Sequence, residues 1–539
     1  TLDADETSTV SGALTQTADI TIDVATGKTL SYSGAAVNLG AKSMTLSGGG
    51  TLANTNALVL NNADSLLSLS GILTIGDVDG TAASNSGKGI QVTSSATLGD
   101  YDLSAVSYLS LAANQTLDGQ LNLKTNGELK TSGDGQCIGN IELAGGKFSA
   151  TDNQVLGGTL SITADSELTV SQGHTLTLSQ AGGLALGANK LIISGGGSLV
   201  SGGMTLNNAN SKLLLNSITV DSVSTSSDSL GLDVDANTTV TSLTVGHTTP
   251  VSIDTGITLS GAITVTGGSI RLDEAGTLGS TVSMSGGTLD VDKTLTLSGA
   301  ISHTADITID VKAGETLTYS GAAINLGAKT LTLSGGGTFS NTNALVLNDA
   351  SSKLLLNLIT VGKVSTSLAN SGLDVDANSS VTSLTVGHTT PVSIDTGITL
   401  SGAITVTGGS IRLDEAGTLG SDVSMSGGIL DVDKTLTLSG ALSHTADITI
   451  DVKAGEVLTY SGAAVSLGAK TLTLIGGGTL SNTNALVLNN ADSLLSLAGI
   501  LTIGDVDGTA ASNSGKGIQV TSSATLGDYD LSAVSYLSL

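Results

Sequence analysis

Apolar and polar residues alternate in short tracts along most of the chain, and residues 398–438, ITLSGAITVTGGSIRLDEAGTLGSDVSMSGGILDVDKTLTL, show the pattern most clearly. Tracts such as ITVT, IRLD and TLTL carry leucine, isoleucine or valine at every second position, with hydroxyl or charged residues between them. That is the period of a strand with one buried face. The intervening SGA, TGG and SGG predict tight turns. Superposing Ile398 on Val423, Gly402 on Gly427, Ile404 on Ile429 and Leu413 on Leu438 predicts a unit of about 25 residues. Three short strands with tight turns in each 23–25 residues describe one coil of an all-β parallel β-helix, a β-solenoid whose strands stack on their equivalents in the next coil.

The coils are nested in longer repeats. SGAISHTADITIDVKAGETLTYSGAAINLGAKTLTLSGGGTF at 298–339 returns almost unchanged at 439–480, an offset of 141, and the same shift carries 242–279 onto 383–420. Thr163, Ala164 and Asp165, and again Thr17, Ala18 and Asp19, mark two more diverged copies. The modules are therefore 12–157, 158–298, 299–439 and a partial one at 440–539, with 1–11 the end of a preceding module, all expected to form one continuous solenoid. Residues 53–111 also recur at 481–539 with only Ala53 to Ser481 and Ser70 to Ala498 changed, so three modules make a super-repeat of 428 residues. Thr1 opens inside a repeat without signal-peptide character, and both ends read as cuts in a longer array. Stacked at about 4.8 Å, roughly 23 coils would extend on the order of 110 Å.

Composition supports thin, similar layers over a conventional core. Aromatics are 2%, Trp is absent and Gly accounts for 72 of 539 residues, so Leu, Val, Ile and Ala must supply the buried area. Disorder is the competing reading of a Gly-, Ser- and Thr-rich acidic chain. The 39% hydrophobic content, alternating in register, argues against it. The formal charge of −27 argues against nucleic acid or an anionic membrane as partner. The two arginines, Arg271 and Arg412, share one IRLDEAG context and build no basic patch. A single cysteine, Cys137, excludes an intramolecular disulfide framework. No apolar run has the length of a membrane helix.

The candidate chemistry resolves mostly into scaffold. The SGGG turns at 47–50, 194–197 and 334–337 lead into strands, so they predict corners with positive φ and not a phosphate cradle. Asp pairs at i and i+2 (77/79, 233/235, 290/292, 374/376, 431/433, 505/507) share a strand face and could offer oxygen ligands to calcium, but no EF-hand or calcium-binding β-roll pattern accompanies them. They are read as outer-face acids. His174, His247, His303, His388 and His444 are scattered without metal-ligand spacing and are read as turn residues. Arg271, Asp273 and Glu274 recur as Arg412, Asp414 and Glu415, and a duplicated feature reads as scaffold, not as an active site. The expectation is a non-enzyme with no catalytic, cofactor-binding or metal site. Alternating threonines (TLTL, TLTY) raise an ice-binding alternative, set against uneven intervals between the threonine tracts and their assignment to differing strands. A polysaccharide-degrading β-helix is the other remote alternative.

The segments GGSIRLDEAGTLGSDVSMSGGILDVDKTLTLSG and GAKTLTLSGGGTFSNTN resemble the passenger repeats of autotransporter and filamentous-haemagglutinin-type bacterial surface proteins, which build right-handed parallel β-helices. The resemblance implies export to the cell surface and a role as stalk, fibre or adhesin. Two readings follow. In the first, the chain is a rod or fibre whose mechanism is stacking itself, extended by continuation of the chain or by end-to-end or lateral self-association. In the second, it is an adhesin gripping a glycan or protein through the irregular segment 100–157, which carries Tyr101, Tyr108, Phe148 and the loop around Cys137.

Overall fold

A computed structural model describes residues 1–539 except 72, 134, 135 and 500, with only the backbone of 136, 137 and 501. The described residues form no helix, and no helix is long and apolar enough to cross a membrane. The chain is an all-β parallel solenoid of about 25 coils. It divides into two compact units, Thr1–Thr264 with Gly268–Ile270, and Val265–Gly267 with Arg271–Leu539.

Within the first unit, each coil contributes one strand to a first parallel sheet and one or two to a second. The strand Ile20–Val24 pairs with Ser43–Ser47, which pairs with Leu66–Leu69, then Gly89–Val92 and Val106–Leu111. Like stacks on like. Ile22, Leu46, Leu69, Val92 and Leu111 form one inward column, all buried. Each such side chain contributes about 1.5–3 kcal/mol by leaving water, and every interior coil covers the face of the one before it. The second unit repeats the arrangement, with Leu289, Ile309, Leu333, Leu356 and Val375 in one buried column.

The coils are shorter and less regular than the sequence spacing predicts. They average about 21 residues, not 23–25. Register sets the step at 19 residues for Leu373 on Val392, 24 for Ile22 on Leu46 and 25 for Thr169 on Ser194. The 25-residue superposition is corrected accordingly: Ile404 pairs with Val423 and Leu413 with Val432. The apparent 25-residue match arises because every strand carries the same alternation, so a shift by one whole tract looks as good as the true register.

The length difference is absorbed in the second sheet. Long coils place two separate strands there, as in Thr29–Tyr32 and Val37–Asn38, each with its own partner. Short coils fuse them into one bent strand. Thr399–Val406 runs straight through SGA, which is therefore a bend within a strand and not a turn between strands. Gly402 makes the bend at φ 120°, and a Cβ there would lie 1.7 Å from the Val381 carbonyl oxygen, so only glycine fits.

Candidate interaction surfaces

Because the inward positions are filled with aliphatics, any chemistry must sit on the outward positions, at the corners or in grooves between coils. The SGGG segments are corners. Gly48 and Gly49, Gly195 and Gly196, and Gly335 and Gly336 all have positive φ, and a strand follows each. A Cβ on Gly335 would meet the Val311 carbonyl oxygen at 2.4 Å, so the backbone of the neighbouring coil approaches too closely for any side chain there.

A cluster of four aspartates comes from strands Leu73–Gly80 and Ala96–Leu103, which stack Asp77 on Asp100 and Asp79 on Asp102, and it recurs as Asp505 on Asp528 and Asp507 on Asp530. Thr116–Lys124 follows, setting Asn122 beside Asp102. Asn122 Nδ2 donates to Asp100 Oδ1 at 2.6 Å and to Asp102 Oδ1 at 2.8 Å, and the Lys124 ammonium pairs with Asp102. Burial and then neighbouring carboxylates raise the Asp77, Asp79 and Asp100 carboxyls. Burial also pushes Asp102 up, but the hydrogen bonds from Lys124 and Asn122 outweigh it and hold that carboxyl low. Lys124 thus occupies the place beside Asp102 where an external cation would act. Among the described residues, no group of three or more His, Cys, Asp or Glu is arranged to hold a metal ion.

The Asp pairs at 233/235, 290/292, 374/376 and 431/433 also lie outward, and cations from adjacent coils meet them, whereas Asp505 and Asp507 stack on Asp528 and Asp530. Lys212 reaches Asp233 at 2.7 Å and Lys353 reaches Asp374 at 2.6 Å. Arg271 lies 3.4 Å from Asp292, and its equivalent Arg412 lies 3.7 Å from Asp433. These cross-coil pairs are partly exposed, so each contributes at most about 1 kcal/mol. His247 and His388 are exposed in turns, while His303 and His444 sit at strand ends with Nδ1 3.1 Å and 3.0 Å from the Ala305 and Ala446 carbonyl oxygens.

In the diverged segment the aromatics separate. Tyr101 and Phe148 are core residues, a correction to their candidacy as binding groups. The Tyr101 hydroxyl bonds Ser107 Oγ at 2.8 Å, and burial pushes its pKa up to about 12. The Cys137 side chain lies outside the described residues. Tyr108 faces outward, with the Lys130 ammonium 5.5 Å from its ring centroid. Beside it, outward register stacks Val106, Glu128, Lys147 and Glu167 in one column. Lys147 lies 3.9 Å from Glu128 and 3.4 Å from Glu167, and Ser149 Oγ donates to Glu128 at 2.7 Å. An open groove of about 400 Å³ runs along this column and is lined also by Asp165 and Lys190. Tyr108 is the one aromatic of the segment's three that sequence reasoning placed correctly on the surface. The charged column was not read from sequence, because its members are 19 to 22 residues apart at unequal steps.

A further pattern emerges on the second sheet. In the second unit, Thr316, Thr338 and Thr360 form one outward column, and Thr399, Thr418, Thr437 and Thr459 form another. The uneven sequence intervals that weighed against a threonine array are therefore taken up at the corners, and the threonines do align.

Comparison with protein-family profiles, curated proteins and solved structures finds no match. The fold itself defines the class, a parallel β-solenoid of tandem repeats.

Proposed function

We propose that this chain is the structural repeat region of a large secreted or cell-surface protein, a stiff spacer of the kind its autotransporter-like cadence implies. One observation carries the reading: coil after coil stacks aliphatic on aliphatic in register, with the backbone paired on both sides and the polar residues pushed outward. Such a design lengthens by duplication without a new core. Duplicating residues 299–439 within the full chain adds six to seven coils, and electron microscopy should show particles longer by about 30 Å. An unchanged particle length would refute the spacer.

A second reading is supported by the groove along Glu128 and Lys147, with Tyr108 beside it: an adhesin surface for a glycan or protein. Its test is a glycan array probed with the full chain and with Tyr108→Ala and Lys147→Ala variants. Equal signals for all three would count against it. Self-association, end to end or lateral, belongs to the spacer reading and is measured by sedimentation of the full chain.

A further inference from the structure

The chain has 46 acidic and 19 basic residues, yet one strip of the second unit, the first segment of its second-sheet strands, carries none of them at its outward positions. From Thr277 to Gly504, the outward positions of the first strand segment on the second sheet, up to its bend, are Thr, Ser or Gly, with Val457 the one exception among the described residues. Charges of the same coils lie on the first sheet, as with Arg412, Asp431 and Asp451, which stack on one another there, and at or beyond the bend of the second, as with Lys363, Asp422 and Asp505. In the first unit the corresponding face is interrupted by Asp118 and Asp221.

We propose that this charge-free hydroxyl face of the second unit binds ordered water, the surface of ice. The geometry supports it. Columns such as Thr399–Thr418–Thr437–Thr459 step by about 4.8 Å from strand to strand, and outward neighbours such as Thr316 and Thr318 lie about 6.7 Å apart along a strand. In a tetrahedral network with oxygens about 2.8 Å apart, second neighbours fall at about 4.5 Å and the axial repeat at about 7.4 Å. The two meshes agree to within roughly a tenth in each direction.

The chemistry agrees as well. Threonine offers a hydroxyl to join the lattice and a methyl that water must cage, whereas an ion would orient a hydration shell of its own. The aromatic rings of these strands, Tyr319, Phe339 and Tyr460, point into the core, so the face lacks the ring platform on which a sugar would stack.

The test is ice partitioning of the full chain, labelled with a fluorophore and frozen slowly from dilute solution. The wild type should enter the ice, and Thr338→Lys and Thr437→Lys should each be excluded like a non-binding control protein. Thr332→Lys, on the first sheet, should partition as the wild type does. Melting curves establish that each variant is folded, and the two face variants lie in separate coils so that failure of one leaves the other informative. Exclusion of the wild type, indifference to both face substitutions, or retention on crystalline polysaccharide without entry into ice would overturn the proposal.

Discussion

The corner after the second-sheet strand is built in two ways within one chain. In three modules it reads Tyr-Ser-Gly, at 32–34, 319–321 and 460–462, and in the fourth it reads Leu-Ser-Gln, at 178–180. In the first form the tyrosine hydroxyl bridges the corner. Ile301 N donates to Tyr319 Oη at 3.1 Å, and Tyr319 Oη donates to the Ala322 carbonyl at 2.6 Å. Leu14, Tyr32 and Ala35 repeat this at 3.1 Å and 2.5 Å. In the second form Gln180 performs both tasks: Leu160 N donates to its Oε1 at 2.6 Å, and its Nε2 donates to the Gly183 carbonyl at 2.5 Å. A Cβ on Gly321 would lie 2.7 Å from the Tyr319 hydroxyl and 2.3 Å from the Gly299 carbonyl. Tyrosine therefore requires glycine two residues on, and glutamine there requires that the tyrosine be gone. What the corner preserves is a donor and an acceptor at one place, because the buried amide must be satisfied.

The largest effect should come from breaking that exclusion. Gly321→Val forces the new side chain against Tyr319 and the Gly299 backbone and should cost about 3 kcal/mol in denaturant titration. A cost below about 0.5 kcal/mol would mean the corner yields freely.

Next in size is the loss of the bridge. Tyr319→Phe leaves Ile301 N and the Ala322 carbonyl without their partner and should cost about 2 kcal/mol. In the other corner, Leu178→Tyr and Gln180→Gly should each destabilise singly, while the double variant regains at least about 1 kcal/mol over their sum. Additive penalties would show that the two corner types are not alternatives.

A smaller effect tests a position that the modules also spell differently. Leu358 and its equivalent Ser217 both sit at φ 53°, and Leu358 is 55% exposed. A left-handed leucine with little packing to lose is strained, so Leu358→Gly should stabilise by about 1 kcal/mol. A decrease in stability would show that the exposed side chain packs better than its exposure implies.

The smallest effect is electrostatic. In the 299–439 module Ser334 Oγ donates to Asp310, whereas its counterpart Asp451 faces Ile475. Burial, and then Asp433, raises the Asp451 carboxyl, and burial with neighbouring carboxylates raises Asp290 and Asp431. A raised carboxyl holds its proton more tightly folded than unfolded. Its contribution therefore grows as the pH falls from neutral through the raised values, and is complete below the ordinary carboxylate range. Asp102 and Asp221, held low, act in the opposite sense and lose their contribution at more acidic pH. The melting temperature should rise slightly as the pH falls from neutral towards the carboxylate range, before acid destabilisation sets in. Ile475→Ser should flatten that rise, and a monotonic fall from pH 7 would contradict the assignment.

Much of the fold was legible because alternation is a local property. ITIDV at 307–311 and TLTLS at 330–334 announce strands with Ile and Leu inward, and the structure buries those residues. The register was not legible, since equivalent tracts fit one another at several offsets. The surfaces depended on register: Glu128 meets Lys147 and Thr418 meets Thr437 only after corners of unequal length have been subtracted. Tyr101 and Phe148 looked like binding groups because they are rare letters, but rarity does not say which side of a strand a residue occupies.

The sequence alone therefore determined the repeat, the parallel coil and the aliphatic character of the interior, because each follows from composition and period-2 patterning within a few residues. Only the tertiary structure decided the coil length of about 21 residues, the exchange of Tyr-Gly for Leu-Gln at the corner, and the alignment of hydroxyls into columns along the first segment of the second-sheet strands. The physical reason is that these depend on which residue lies about 4.8 Å away in the next coil, and that neighbour is set by loop closure at the corners, which the alternation of the strands does not encode.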